Sequence, residues 1–229
     1  MKRFSLLCLA GLVAAAVALP SFAADLARPI YKGPPAIAPP PFSWSGFYVG
    51  INGGYGFGSS EWTGPVSSDQ FKVNGGLVGA TLGYNIQTGN WVWGIEGDFD
   101  YSWIKGNSDT IGGGICGGPT GCETKVPWLA TVRGRIGYAW NRWMPYFTGG
   151  AAIADIKATP NIGTEVSDTN VGWTAGAGIE YAFLGAWSAK LEYLYADLGS
   201  IDCPAANCGI DANVDFKTSI VRLGVNYRF

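Results

Sequence analysis

Phe216–Phe229, FKTSIVRLGVNYRF, separates into two unlike faces when every second residue is read. Ser219, Val221, Leu223, Val225, Tyr227 and Phe229 make one face, apolar and ending in aromatics. Ile220, Arg222, Gly224, Asn226 and Arg228 make the other, which carries two guanidinium groups and an amide. A period of two is the signature of a β-strand between unlike surroundings. A soluble sandwich would bury the apolar face against a second sheet and leave the charged face in water. A membrane barrel would turn the apolar face to lipid and close the charged face inside. The remaining strands decide between them.

Working back along the chain, alternation divides the folded region into eight segments, 46–58, 73–87, 90–103, 126–140, 145–157, 169–183, 187–199 and 216–229. In the first, Phe47, Val49, Ile51, Tyr55 and Phe57 share a face opposite Tyr48, Asn52 and several glycines. In the third, Trp91, Trp93, Ile95, Phe99, Tyr101 and Trp103 oppose Glu96, Asp98 and Asp100. The fourth sets Val132, Ile136, Tyr138 and Trp140 against Arg133 and Arg135. The sixth and seventh set Trp173, Ile179, Tyr181, Trp187, Leu191 and Tyr193 against Glu180, Lys190 and Glu192. The second and fifth are weaker; Leu82, Tyr84, Ile86, Phe147 and Ile153 are the residues expected outward.

Connections alternate in length. Thr88-Gly89, the turn around Asn141-Arg142-Trp143, and Leu184-Gly185-Ala186 are tight, whereas 59–72, 104–125, 158–168 and 200–215 are long. Transmembrane barrels place short turns on the periplasmic rim and long loops outside. An even strand number then puts both ends of the domain on the periplasmic side. Trp91 and Trp103 stand twelve residues apart, as do Trp128 and Trp140. At the rise and tilt of barrel strands this spans roughly 30 Å, close to the separation of the two aromatic girdles of such barrels. The charge-bearing faces are rich in glycine and alanine, which suits a crowded, narrow lumen better than a solvated surface.

Composition agrees with an all-β chain. Its 229 residues include 35 glycines, 10 Trp, 11 Tyr and 11 Phe; glycine is about twice as frequent as usual. A net charge of −2 leaves no basic footprint for nucleic acid. Residues 1–23 read as a signal peptide: Lys2 and Arg3, an apolar run from Phe4 to Leu19 that encloses Cys8, and the small-x-small site Ser21-Phe22-Ala23. Residues 24–45, with Pro29, Pro34, Pro35, Pro39, Pro40 and Pro41, read as a Pro-rich periplasmic linker before a barrel at 46–229.

Together, the leader, the Pro-rich lead, Trp44-Ser45-Gly46-Phe47-Tyr48-Val49-Gly50, the Gly-rich strands and the final Tyr227-Arg228-Phe229 give the chain its resemblance. It resembles the small outer-membrane barrels of the alphaproteobacterial surface-antigen family, known also as porin-family or immunogenic outer-membrane proteins. The resemblance implies an eight-stranded antiparallel transmembrane β-barrel in the cell outer membrane, in contact with its lipid, after secretion through the inner membrane. It implies that Tyr227 and Phe229 form the assembly signal read by the barrel assembly machinery. It implies no enzymatic activity and no resident cofactor, with a structural or surface-interaction role carried by loops that could meet a host or environmental ligand. A narrow diffusion pore is the alternative, and hemin-type binding at the loops, ascribed to some relatives, is a third; without histidine, tyrosine would have to ligate the iron.

Ten charged residues fall on inward positions: Glu96, Asp98, Asp100, Arg133, Arg135, Glu180, Lys190, Glu192, Arg222 and Arg228. Glu96 with Arg135, and Glu192 with Arg222, are expected at similar heights on neighbouring strands. Paired charges are tolerable in a narrow lumen and read as a structural plug; a ring of charge around an open channel would instead set selectivity. The carboxylates are strand-spaced beside arginines rather than arranged for glycoside hydrolysis, and the lack of histidine removes Ser-His-Asp and Cys-His chemistry. Cys116 and Cys122 lie in the second long loop, Cys203 and Cys208 in the fourth. Local disulfides are expected in an oxidising compartment; a four-thiolate zinc site is the alternative, without C-x-x-C spacing to support it.

Overall fold

The computed structural model describes residues 42–63, 71–107, 122–159, 165–203 and 212–229. They form eight strands: β1 Gly46–Thr63, β2 Phe71–Thr88, β3 Trp91–Asn107, β4 Glu123–Tyr138, β5 Trp143–Thr159, β6 Val166–Leu184, β7 Trp187–Cys203 and β8 Ala212–Arg228. Each pairs antiparallel with its sequence neighbours, and β1 pairs with β8, so the sheet is a closed barrel. Closure satisfies every edge, which lipid cannot do. The seam runs from Tyr48 opposite Arg228 to Thr63 opposite Asn213. One step beyond it, the Phe229 N–H donates to the Phe47 carbonyl at 2.9 Å.

The three tight turns fall on one rim, where the left-handed backbone of Gly89, Asn141 and Gly185 reverses the chain. Trp140 and Trp143 exchange backbone hydrogen bonds across the second. The start of β1 and the end of β8 lie on the same rim.

Outward residues are those expected. Phe47, Ile51, Leu82, Ile95, Val132, Phe147, Leu191 and Leu223 are exposed along the outer wall. Aromatic pairs mark its two borders: Phe47–Tyr84, Trp91–Tyr138, Trp143–Tyr181 and Trp187–Tyr227 near the tight turns, and Phe99–Trp128, Tyr101–Trp103 and Trp173–Tyr195 toward the long loops. Apolar band and aromatic girdles together mark the lipid-facing zone.

Several strands run further toward the long loops than their alternation predicts. β1 reaches Thr63 rather than 58, β2 begins at Phe71, β4 at Glu123 and β8 at Ala212. Beyond the far girdle the polarity reverses: Val73, Ile104, Ile156, Leu198, Val214 and Phe216 point inward and are buried, while Lys72, Lys105 and Lys217 point out. Apolar-in, polar-out is the pattern of a sheet in water, so a search for apolar-out strands ends one girdle too early. Pro127 adds a local break. It has no N–H for the ladder, and the register of β4 shifts against β3 and β5 around it.

The lumen is layered. An apolar cluster of Trp44, Val92, Ala139, Met144, Tyr146 and Ala182 fills the tight-turn end. A larger one, including Leu77, Leu129, Ile156, Leu194, Phe216 and Ile220, fills the long-loop half. The charged residues lie between them.

Candidate functional site

The charged layer is assembled by cross-strand register. Glu96 of β3 stands opposite Arg133 of β4; Glu180 of β6 opposite Lys190 of β7; Glu192 of β7 opposite Arg222 of β8. Inward glycines make room for the long side chains. A Cβ on Gly83 would overlap the Tyr48 ring, and one on Gly178 would collide with the ring of Tyr146, so both positions require the bare backbone.

Arg133 is the hub. Its guanidinium contacts Glu96, Asp98 at 2.6 Å and Glu192 at 2.9 Å, bridging β3 to β7 across the lumen. Arg222 forms a second hub, at 2.7 Å from Glu192, 3.0 Å from Asp98 and 3.1 Å from Asp100. Lys190 reaches Glu96 at 3.1 Å. Arg135 donates to Glu180 at 2.7 Å and to Tyr48 Oη at 2.9 Å, and Tyr48 in turn donates to Glu96 at 2.8 Å. Ser188 and Asn226 donate to the second oxygen of Glu180. Thr81 and Thr131 donate to Asp98, and Tyr146 to Glu192. Charge-assisted hydrogen bonds of this kind are about twice as strong as neutral ones.

Two expectations about this layer change. Glu96 faces Arg133 rather than Arg135; the Arg135 contact to Glu96 is the longer one, 3.4 Å, because Arg135 sits one inward step nearer the tight turns, level with Glu180. Arg228 does not join the network. It lies at the rim, half-buried, with its guanidinium 4.3 Å from the Phe42 ring centroid and 5.8 Å from that of Trp44. Without it, the buried layer among the described residues holds five carboxylates and four cations.

The polar partners Tyr48, Thr81, Thr131, Tyr146, Ser188 and Asn226 carry no charge to draw attention in the sequence. What marks them is parity, since each occupies an inward position on its strand. The segment before β1 contributes as well. Trp44 is buried in the tight-turn mouth; its backbone N–H donates to Gln87 Oε1 at 2.7 Å, and the Gln87 backbone N–H donates to Ser45 Oγ at 2.8 Å. Phe42 packs edge-on against it. The end of the Pro-rich stretch thus serves as a stopper.

Of the other candidates, Tyr227 and Phe229 point outward at the tight-turn girdle, their rings 5.3 Å apart, and Phe229 is 76% exposed. Cys122 is buried and disulfide-bonded. Cys116, Cys208 and the side chain of Cys203 lie outside the described residues, as do residues 1–41 with the expected signal peptide.

Residues 5–229 match the model of the outer membrane protein beta-barrel domain. The chain is 39% identical to the 31 kDa outer-membrane immunogenic protein of Brucella melitensis biotype 1, covering 95% of this chain and 97% of the relative. It is 34% identical to the 25 kDa outer-membrane immunogenic protein of Brucella abortus biovar 1, covering 91% of each. The 22 kDa outer membrane protein of Rhizobium leguminosarum bv. viciae is 36% identical, over 83% of this chain and 80% of that one.

Proposed function

The chain belongs to the outer-membrane β-barrel protein family, and from that premise we propose that it is a closed, non-catalytic barrel that displays four loops at the cell surface. Its role is structural and surface-interactive. The observation that supports this reading is the layering of the lumen: apolar stopper, ion-paired layer and apolar cap follow one another along the axis. Eight strands enclose an interior that side chains can fill, and a charged layer sealed between apolar ones offers ions no continuous water path. Tyr227 and Phe229 serve the assembly machinery, and an environmental or host ligand engages the long loops rather than the lumen. The loop cysteines pair locally, Cys116 with Cys122 and Cys203 with Cys208.

Single-channel recording in planar bilayers tests the central point. The purified barrel should add no steady conductance, and removing residues 24–45 should at most produce brief openings. Stable ohmic channels from the intact protein would replace this reading with that of a narrow diffusion pore. For the cysteines, mass spectrometry of non-reduced peptides should return the two local pairs; a bridge between loops would overturn the assignment.

A further inference from the structure

Among the described residues, the arginines lie in the lumen or at the tight-turn rim, and the lysines with one exception lie on the opposite side of the barrel wall, past the long-loop girdle. Arg133, Arg135 and Arg222 are buried in the lumen. Among the described residues, every lysine except Lys190 instead occupies an outward position just past the long-loop girdle: Lys72, Lys105, Lys125, Lys157 and Lys217. Three of them form a row. Lys105 of β3 is the direct cross-strand partner of Lys125 of β4, and Lys125 that of Lys157 of β5. Like charges directly opposite one another destabilise a sheet unless something neutralises them.

Protein carboxylates do part of that work. Glu123 lies 2.7 Å from Lys125, and Glu165 lies 3.3 Å from Lys157. Asp155, the outward position below Lys157, accepts a hydrogen bond from Ser167 at 2.7 Å. No carboxylate contacts Lys105 among the described residues; its cross-strand neighbour on β2 is Asn74, whose side-chain oxygen already accepts from Tyr55. Beside the row lies a groove of about 390 Å³, walled by Tyr101, Trp103, Val126 and Pro127 and edged by the three lysines and by Glu165, the carboxylate paired with Lys157. Its aromatic wall belongs to the girdle, so its apolar part lies at the edge of the hydrocarbon and its cationic part at headgroup depth in the outer leaflet. Lysine stems are suited to this position, since they lie along apolar surface and extend the ammonium outward.

We propose that the Lys105–Lys125–Lys157 row and the adjoining groove bind the phosphate-bearing headgroup of an outer-leaflet glycolipid. The phosphate sits among the ammonium groups, with Lys105 as the donor that has no carboxylate partner among the described residues, and the start of an acyl chain lies against Trp103 and Pro127. The lipid is thereby a counter-ion to a sheet that would otherwise repel itself.

The test uses the full chain folded in neutral detergent, titrated with bis-phosphorylated lipid A and, separately, with the same lipid lacking phosphate, read by native mass spectrometry. The unaltered protein should prefer the phosphorylated probe. Attraction to an anionic surface is lost by roughly fivefold per lysine removed. Lys105→Gln, Lys125→Gln and Lys157→Gln combined should therefore weaken phosphorylated-probe binding by about a hundredfold, and leave binding of the phosphate-free probe unchanged. The corresponding triple Lys→Arg variant should retain binding, and Arg142→Gln on the opposite rim should have no effect. The heat-modifiable gel shift verifies that each variant is folded. Equal affinity for the two probes, an unaltered triple Gln variant, or a parallel loss of both probes would each overturn the proposal.

Discussion

The same eight strands are built inside-out below the far aromatic girdle and right-side-out above it. Below, Leu223 and Ile95 face outward and Arg222 and Glu96 face inward; above, Phe216 and Ile104 face inward and Lys217 and Lys105 face outward. The period of two never changes, but the phase of the hydrophobicity reverses within a single strand. Backbone geometry therefore does not decide which face is apolar. The medium decides, and the point of reversal locates its boundary.

Four measurements would sharpen or break this contrast, each read as a shift in urea-unfolding free energy in lipid vesicles. The largest effect belongs to the interior of the lower zone. Arg133→Met removes the hub and takes one buried cation from each of Glu96, Asp98 and Glu192, leaving them to Lys190 and Arg222, which should cost about 3–5 kcal/mol. A loss below about 1 kcal/mol would mean that water already hydrates the layer. Next comes the outer wall of that zone. Leu223→Arg, at a position 64% exposed to lipid, should cost about 2–4 kcal/mol near the midplane; a neutral result would put this face in water.

Above the girdle the expected sizes fall. Ile156→Val, inside the upper apolar cluster, should cost about 0.5–1.5 kcal/mol, as in the core of a soluble protein. Smallest is Lys217→Gln. Lys217 is more than half exposed and 3.9 Å from Asp197, so the change should stay within about 0.5 kcal/mol. If Lys217→Gln proved as costly as Leu223→Arg, the upper zone would not be an aqueous surface.

The lower outer wall was legible in the sequence because each of its positions answers to lipid alone. Trp93, Ile95 and Leu223 need no partner to be placed correctly. Strand number, the three tight turns and the closing seam follow from the same alternation. The upper extensions are not legible in that alternation because their phase is reversed and because Pro127 breaks the count. The charged layer was legible only as a set of inward residues. Which carboxylate meets Arg133 depends on the register of strands 35 to 59 residues away, and alternation within one strand carries no information on that. Arg228 illustrates the limit: its parity is inward, yet it stands at the mouth, where Phe42 and Trp44 offer aromatic faces.

The seam between β1 and β8 also bears on the order in which the barrel is made. Seven of its eight strand pairings join neighbours in the chain and can nucleate as hairpins, whereas Tyr48 must find Arg228 across 180 residues. Contacts of such long sequence separation form slowly. Hydrogen bonding between Phe229 and Phe47, and the lodging of Trp44 beside Gln87, then become markers of the final step. Trp44 gains its buried environment only once the mouth exists, so the emission of this one indole would time ring closure separately from hairpin formation.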